Sequence, residues 1–179
     1  MIELLSEASY PDNTPNFPGV RLLFDSPVGT DEERRGSKFP PGAWFVAMGF
    51  NESYPTSMKR SDFHTGIDLN LPQFGDTGQD VRACADGVIV YSGLAPEWGY
   101  LIVVKHVLEN GSSLWSRYAH LSRITTVPRV GDFVKRGDLL AHIGEYGKPG
   151  PSQDHLHLDI AKIDLGAKPT DWPGSDRVR

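Results

Sequence analysis

From Trp44 onward, the apolar residues fall into short runs separated by glycine and polar clusters: residues 44–50, 63–69, 87–91, 101–107, 114–120, 139–143 and 155–160. Within several of these runs apolar and polar positions alternate, as on a strand with one face in a core. No stretch holds a 3.6-residue apolar period over three turns, so no long amphipathic helix is expected. The pattern predicts a mainly β fold: an antiparallel sheet or sandwich with an open groove between loops. The longest loops fall near residues 70–80 and 144–154.

The texture also sets the domain organisation. Residues 1–42 are rich in proline and polar side chains, with a strand-like run only at 20–24, and read as an irregular N-terminal arm packed on the core. Residues 43–165 form the main domain, and residues 166–179 form a polar C-terminal tail. Inside the domain, Val130-Gly131-Asp132 and Arg136-Gly137-Asp138 recur six residues apart, each followed by apolar residues. Turn–strand–turn–strand is the simplest account of that repeat. The Arg136-Gly-Asp triplet is therefore read as a turn, not as an adhesion motif.

Composition narrows the possible functions. The 179 residues are 39% hydrophobic and 23% charged, enough for a packed core and unlike a disordered chain. The longest apolar runs, such as 100–104, fall far short of the roughly 20 residues needed to span a bilayer. Net charge is −5 and basic residues cluster only in pairs (Arg34-Arg35, Lys59-Arg60, Lys135-Arg136), so the footprint of a nucleic-acid binder is missing. One cysteine, Cys84, excludes an intrachain disulfide and a cysteine-built zinc site, and reads as a small buried filler. The opening Met1-Ile-Glu-Leu-Leu-Ser-Glu lacks the basic and apolar regions of a secretory leader.

Three segments carry histidines that packing alone does not explain. In His155-Leu-His-Leu-Asp-Ile160, strand alternation sends Leu156, Leu158 and Ile160 to one face and His155, His157 and Asp159 to the other. Residues two apart on a strand lie about 6.5–7 Å apart, so one metal could engage one imidazole while the other stays free beside it. In His64-Thr-Gly-Ile-Asp68, a flat strand would hold the end side chains about 13 Å apart. A bend at Gly66 is the expected solution. In Arg117-Tyr-Ala-His-Leu121, His120 shares strand parity with Tyr118, Ser116 and Leu114. His106 shares parity with Ile102 and Val104 and reads as a packed histidine, as does His142 beside Leu140. Trp98, Tyr100, Trp115 and Tyr146 are candidates for lining a groove. No Gly-x-Ser-x-Gly elbow is present, and the glycines at 144, 147 and 150 lack the strand–helix setting of a phosphate loop.

In order along the chain, His64-x-Gly-x-Asp68, Tyr118-Ala-His120-Leu and His155-Leu-His157 resemble the signature of the lysostaphin-type zinc metallopeptidases, which cut peptide bonds in bacterial peptidoglycan. Connecting segments (85–90, 99–106 and 130–144) resemble that family's intervening strands. The resemblance implies one zinc ion per chain held by His64, Asp68 and His157, with His120 and His155 as unligated catalytic histidines. Two imidazoles and a carboxylate that leave one position open match a catalytic zinc site. Asp159, His106 and Tyr118 are candidates to support the ligands from behind. Two departures stand out: Pro151-Ser-Gln-Asp154 precedes His155 where the family is usually small and Gly-rich, and Asp159 replaces a common Glu.

The implied substrate is the peptide part of peptidoglycan, cut either between glycines or at a D-amino-acid cross-link, so the implied place of action is the cell wall, periplasmic or extracellular. With no leader in view, removal of a leader, a phage origin or injection as a toxin would each reconcile chain and substrate, and a toxin would bring an inhibitory partner. Oligomeric state is left open by the residues. The competing reading is a non-catalytic wall-binding or regulatory module on the same scaffold. A lipoyl-type carrier module, suggested by the hairpin at 128–143, leaves the histidines unexplained. The arm, through Asp12, Asn13 and Asn16, is a candidate to fold over the groove.

Overall fold

A computed structural model describes residues 24–36, 38–54, 63–95, 98–122, 128–144 and 154–163. A short helix α1 (Asp31–Arg35) precedes nine strands: β1 (Phe45–Met48), β2 (Ile67–Asn70), β3 (Asp80–Arg82), β4 (Gly87–Ala95), β5 (Gly99–Val107), β6 (Ser113–Leu121), β7 (Phe133–Val134), β8 (Leu139–His142) and β9 (Leu156–Ala161). Among the described residues, seven strands pair antiparallel in the order β1-β2-β9-β6-β5-β4-β7, and β3 pairs with β8 in a second, two-stranded sheet. The mainly β, antiparallel architecture expected from the apolar runs is the one found.

Strand alternation divides the core between the two faces of the large sheet. One face presents Ile89, Ile102, Val104, Tyr118, Leu156 and Leu158, over which β3 and β8 lay Val81, Leu140 and Ala141. The other carries a smaller cluster of Ala95, Leu101, Val103 and Ala119, flanked by Trp98 and Trp115. Central strands β5 and β6 are therefore buried on both sides, which explains the near-continuous apolar run of β5.

The repeat at 130–138 folds as expected. Gly131 and Gly137 have φ of +97° and +94°, the left-handed region that glycine enters without penalty. The two turns close identically: Asp132 N–H donates to Arg129 O and Arg129 N–H to Asp132 Oδ2, while Asp138 N–H donates to Lys135 O and Lys135 N–H to Asp138 Oδ2. Each aspartate thus binds its own turn (an Asx-type device), which is why Gly-Asp recurs.

Two elements had no sequence expectation. α1 is too short to show an apolar period; it is held by a capping box between Thr30 and Glu33 and by buried Arg34, whose guanidinium donates to Ser26 O at 2.8 Å. β3 (three residues) begins where the segment read as a loop, near 70–80, ends. Phe24, Val28 and Phe39 lie against the larger core. Residues 20–23 of the expected first strand, Asp12, Asn13, Asn16, Tyr146 and the tail at 166–179 lie outside the described residues. Among the described residues no helix is long and apolar enough to cross a membrane.

A Cβ at Gly131 would meet nothing within 4 Å, so Gly131→Ala isolates the backbone cost. It is expected to lower stability by about 1–2 kcal/mol, read as a shift in the denaturant midpoint without a change in slope.

Candidate metal centre

The order β2-β9-β6 carries the candidate residues to one place. Asp68 in β2 lies directly opposite His157 in β9, which on its other side lies opposite Ala119 in β6. Cross-strand partners share a face, so Asp68 and His157 point to the same side. His155 stands just before β9 with the same parity.

His64 lies outside the strands. Its N–H donates to Glu52 O (2.9 Å), and its carbonyl accepts from Asn51 N–H (2.8 Å). The chain bends at Gly66, and the span between His64 and Asp68 collapses to 3.0 Å between Nε2 and Oδ1. Clearance is what makes glycine necessary here: a Cβ at Gly66 would lie 2.3 Å from Leu158 O and 2.9 Å from His157 Nε2. The lead-in to β2 can press against β9 only with a residue that has no side chain.

Three donor atoms converge. His64 Nε2 is 3.0 Å from His157 Nδ1, His157 Nδ1 is 2.9 Å from Asp68 Oδ1, and Asp68 Oδ1 is 3.0 Å from His64 Nε2. The far nitrogen of each ring faces an acceptor: His64 Nδ1 lies 3.0 Å from Gly49 O, and His157 Nε2 lies 3.4 Å from Asp159 Oδ2. With the ring protons directed there, lone pairs of all three donors meet at one point, which demands a cation or added protons. Tetrahedral zinc ligands about 2.0–2.1 Å from the ion stand roughly 3.3 Å apart, close to the spacing found. Nitrogen and carboxylate donors are also the set that zinc accepts. The residues fit the ion.

Electrostatics follow from the burial. Burial by itself would raise the Asp68 carboxyl, but hydrogen bonds from His157 and His64 hold it far below the usual carboxylate range. Burial opposes the charge on His157, yet hydrogen bonds to Asp159 and Asp68 outweigh it and lift its pKa to about 9 in the metal-free protein.

His120 and His155 flank the donors. His155 Nε2 is 3.5 Å from Asp68 Oδ1, and its ring is 4.7 Å, centroid to centroid, from that of His120. His120 does not follow the parity read from sequence. Its φ of +61° is left-handed, and the ring turns away from the face of Tyr118 to lie 6.1 Å from His157 and parallel to Trp98, at 5.8 Å. Its N–H donates to Trp98 O and its carbonyl accepts from Gly144 N–H, both at 2.9 Å, which fixes the turn. Burial, then repulsion from the neighbouring His155 and His157 rings, holds His120 well below the ordinary imidazole range, which favours its neutral form.

The supporting candidates separate. Asp159 is 3% exposed, not a surface residue, and Arg117 Nε donates to its Oδ1 at 2.6 Å. For Tyr118 and His106 the expectation is corrected: both lie on the opposite face, because strand neighbours alternate. There the Tyr118 hydroxyl accepts from Cys84 N–H and donates to Cys84 Sγ, each at 2.9 Å, while His106 bonds Ser116 Oγ and Asp86 O at 2.7 Å. Among the aromatics, Trp98 meets the site, whereas Tyr100 packs on the larger core and Trp115 lies under Lys105. Asp154 accepts from Thr77 Oγ1 and, through its carbonyl, from Asn70 Nδ2 (3.0 Å), so it ties the approach to His155 onto the end of β2 and the loop after it. Arg117 was missed by sequence reasoning; the available signal was a charged residue amid the buried run of β6.

Residues 62–171 match the family model described as Peptidase family M23. The chain is 36% identical over 97 residues to the DD-carboxypeptidase/endopeptidase Mpg of Neisseria meningitidis serogroup B, covering 54% of this chain and 19% of that protein. It is 29% identical over 136 residues to the peptidoglycan DD-endopeptidase ShyA of Vibrio cholerae, covering 74% and 28%. It is also 36% identical over 96 residues to the murein hydrolase activator NlpD of Escherichia coli, covering 53% and 22%. A zinc containing peptidase from Vibrio cholerae superposes with a TM-score of 0.56 at 25% identity, over 78% of this chain and 36% of that one. The chain thus spans less than a third of the length of these three relatives.

Three outcomes follow from this geometry. A group whose folded pKa is raised stabilises the fold below its ordinary value and loses that contribution as pH climbs. The metal-free protein is therefore expected to lose about 3 kcal/mol between pH 6.5 and about 9 as His157 gives up its proton, measured by denaturant titration across that range. Zinc uptake at neutral pH releases about one proton per ion, read with a pH indicator. Gly66→Ala is expected to cost about 1–3 kcal/mol by overpacking against β9 and to weaken zinc uptake, checked by melting temperature and chelator competition.

Proposed function

The chain belongs to peptidase family M23, and on that premise we propose that it is a zinc-dependent endopeptidase hydrolysing the stem or cross-bridge peptides of bacterial peptidoglycan. The observation that carries this reading is the convergence of His64 Nε2, Asp68 Oδ1 and His157 Nδ1 within 3.0 Å of one another, beside two further imidazoles. His64, Asp68 and His157 would hold one zinc ion. When bound, the zinc supplies Lewis acidity and brings the pKa of water to about 7.

The chain's own part is proton handling and positioning. Neutral His120 and the more exposed His155 form a facing pair, suited to taking a proton from the attacking water and to stabilising the oxyanion or protonating the leaving amine. Trp98, stacked on His120 and tilted against His157 with centroids 4.9 Å apart, holds both rings and shields that side from solvent. The relatives named for peptidoglycan cleavage support the substrate class and action at the cell wall.

The second reading, a non-catalytic wall-binding or regulatory module, draws support from the likeness to a murein hydrolase activator. The full set of donors and both flanking histidines weigh for the hydrolase.

Zinc content and digestion of purified peptidoglycan, measured on wild type, His157→Ala and His120→Ala, separate the two. The expected result is about one zinc per chain and fragment release in wild type. His157→Ala loses both, and His120→Ala keeps zinc but slows cleavage by about 100-fold or more. Zinc without turnover in wild type favours the regulatory module, and no zinc uptake after adding the ion overturns the ligand assignment.

A further inference from the structure

We propose that Arg117 is a positioning residue for the metal centre, acting through Asp159 on the ring of His157. The inference rests on the reading of His64, Asp68 and His157 as the zinc ligands. Arg117 stands in the middle of β6 with its side chain only 1% exposed, and Asp159, its direct cross-strand partner in β9, is equally buried at 1%. Burying two charges is costly, and a pair that only tied two strands together could be replaced by apolar side chains without loss.

The geometry of this pair is selective. A guanidinium facing a carboxylate commonly grips both oxygens with a two-pronged fork. Here Nε and the adjacent NH2 group of Arg117 both contact Oδ1. The other oxygen, Oδ2, is left toward His157 Nε2 at 3.4 Å. The carboxylate is divided: Oδ1 is held by the guanidinium, and Oδ2 lies at ion-pair distance from the imidazole.

That division matters because the terminal torsion of an aspartate is soft. An unheld carboxylate would swing through a range of planes and present its edge to Nε2 only part of the time. Arg117 fixes the plane, Asp159 then fixes the ring proton of His157 on Nε2, and Nδ1 is left as the donor that meets His64 and Asp68. A lysine would keep the charge but, as a point donor, could not hold the plane.

The test measures zinc affinity by competition with a chromophoric chelator, and the melting temperature of the metal-free protein, for wild type, Arg117→Lys, Asp159→Asn, Asp159→Leu and the double variant Arg117→Met/Asp159→Leu. Arg117→Lys is expected to weaken zinc about 10–100-fold, as Asp159→Asn does, with the metal-free melting temperature lowered by only a few degrees. The double variant removes both buried charges together and so keeps the fold. Its zinc affinity is expected to match that of Asp159→Leu, because Arg117 has no effect once Asp159 is gone. Zinc affinity within about twofold of wild type in Arg117→Lys, or losses that multiply in the double variant, overturns the inference and leaves the ligand assignment standing. A wild type that takes up no zinc overturns both.

Discussion

The site depends on one register: Asp68 opposite His157 across β2 and β9, with Ala119 opposite His157 on the far side. Antiparallel pairing places those side chains on a common face at close range, and a slip of one residue would send His157 into the apolar core and Leu158 to the donors. The slip is opposed by Leu156 and Leu158, which are almost completely buried on the other face. Hydrophobic alternation along β9 therefore does two things at once. It builds the core, and it fixes which side the imidazole occupies.

The two faces of the large sheet solve the burial of polar groups in different ways. Facing the small sheet, His106, Ser116, Tyr118 and Cys84 bond to one another and to the backbone, a neutral network that asks for no ion. Facing the candidate metal centre, the buried groups are charged or aimed at one another's lone pairs, an arrangement backed by Arg117 that a cation in front would relieve. Strands β6 and β9 separate the two chemistries, and the alternation of their side chains keeps them apart.

The sheet and the donors were legible because their signals are local and periodic. Apolar runs mark the strands, and parity within 155–160 separates core from donor face. Other features depend on contacts distant in sequence. The role of Gly66 is set by the Leu158 carbonyl, 92 residues away, so the sequence suggested a bend but could not reveal the clearance. His120 breaks parity because hydrogen bonds from Gly144 and to Trp98 hold its backbone left-handed, and nothing in Tyr-Ala-His-Leu announces that. Arg117 reads as an ordinary charged residue until its partner in β9 is known. α1 and β3 are too short for any period to register.

The left-handed backbone at His120 has a consequence for how the site can decay. A non-glycine residue held there costs on the order of 1 kcal/mol or more, accepted in exchange for where the ring is delivered. Were the proton-transfer role proposed for His120 lost in a descendant of this chain, that cost would no longer be offset. Glycine relieves it and asparagine tolerates it, whereas alanine keeps the strain and discards the ring. Drift at position 120 should therefore have a direction imposed by the backbone, and a glycine there in a descendant would record the loss of chemistry in the shape of the chain.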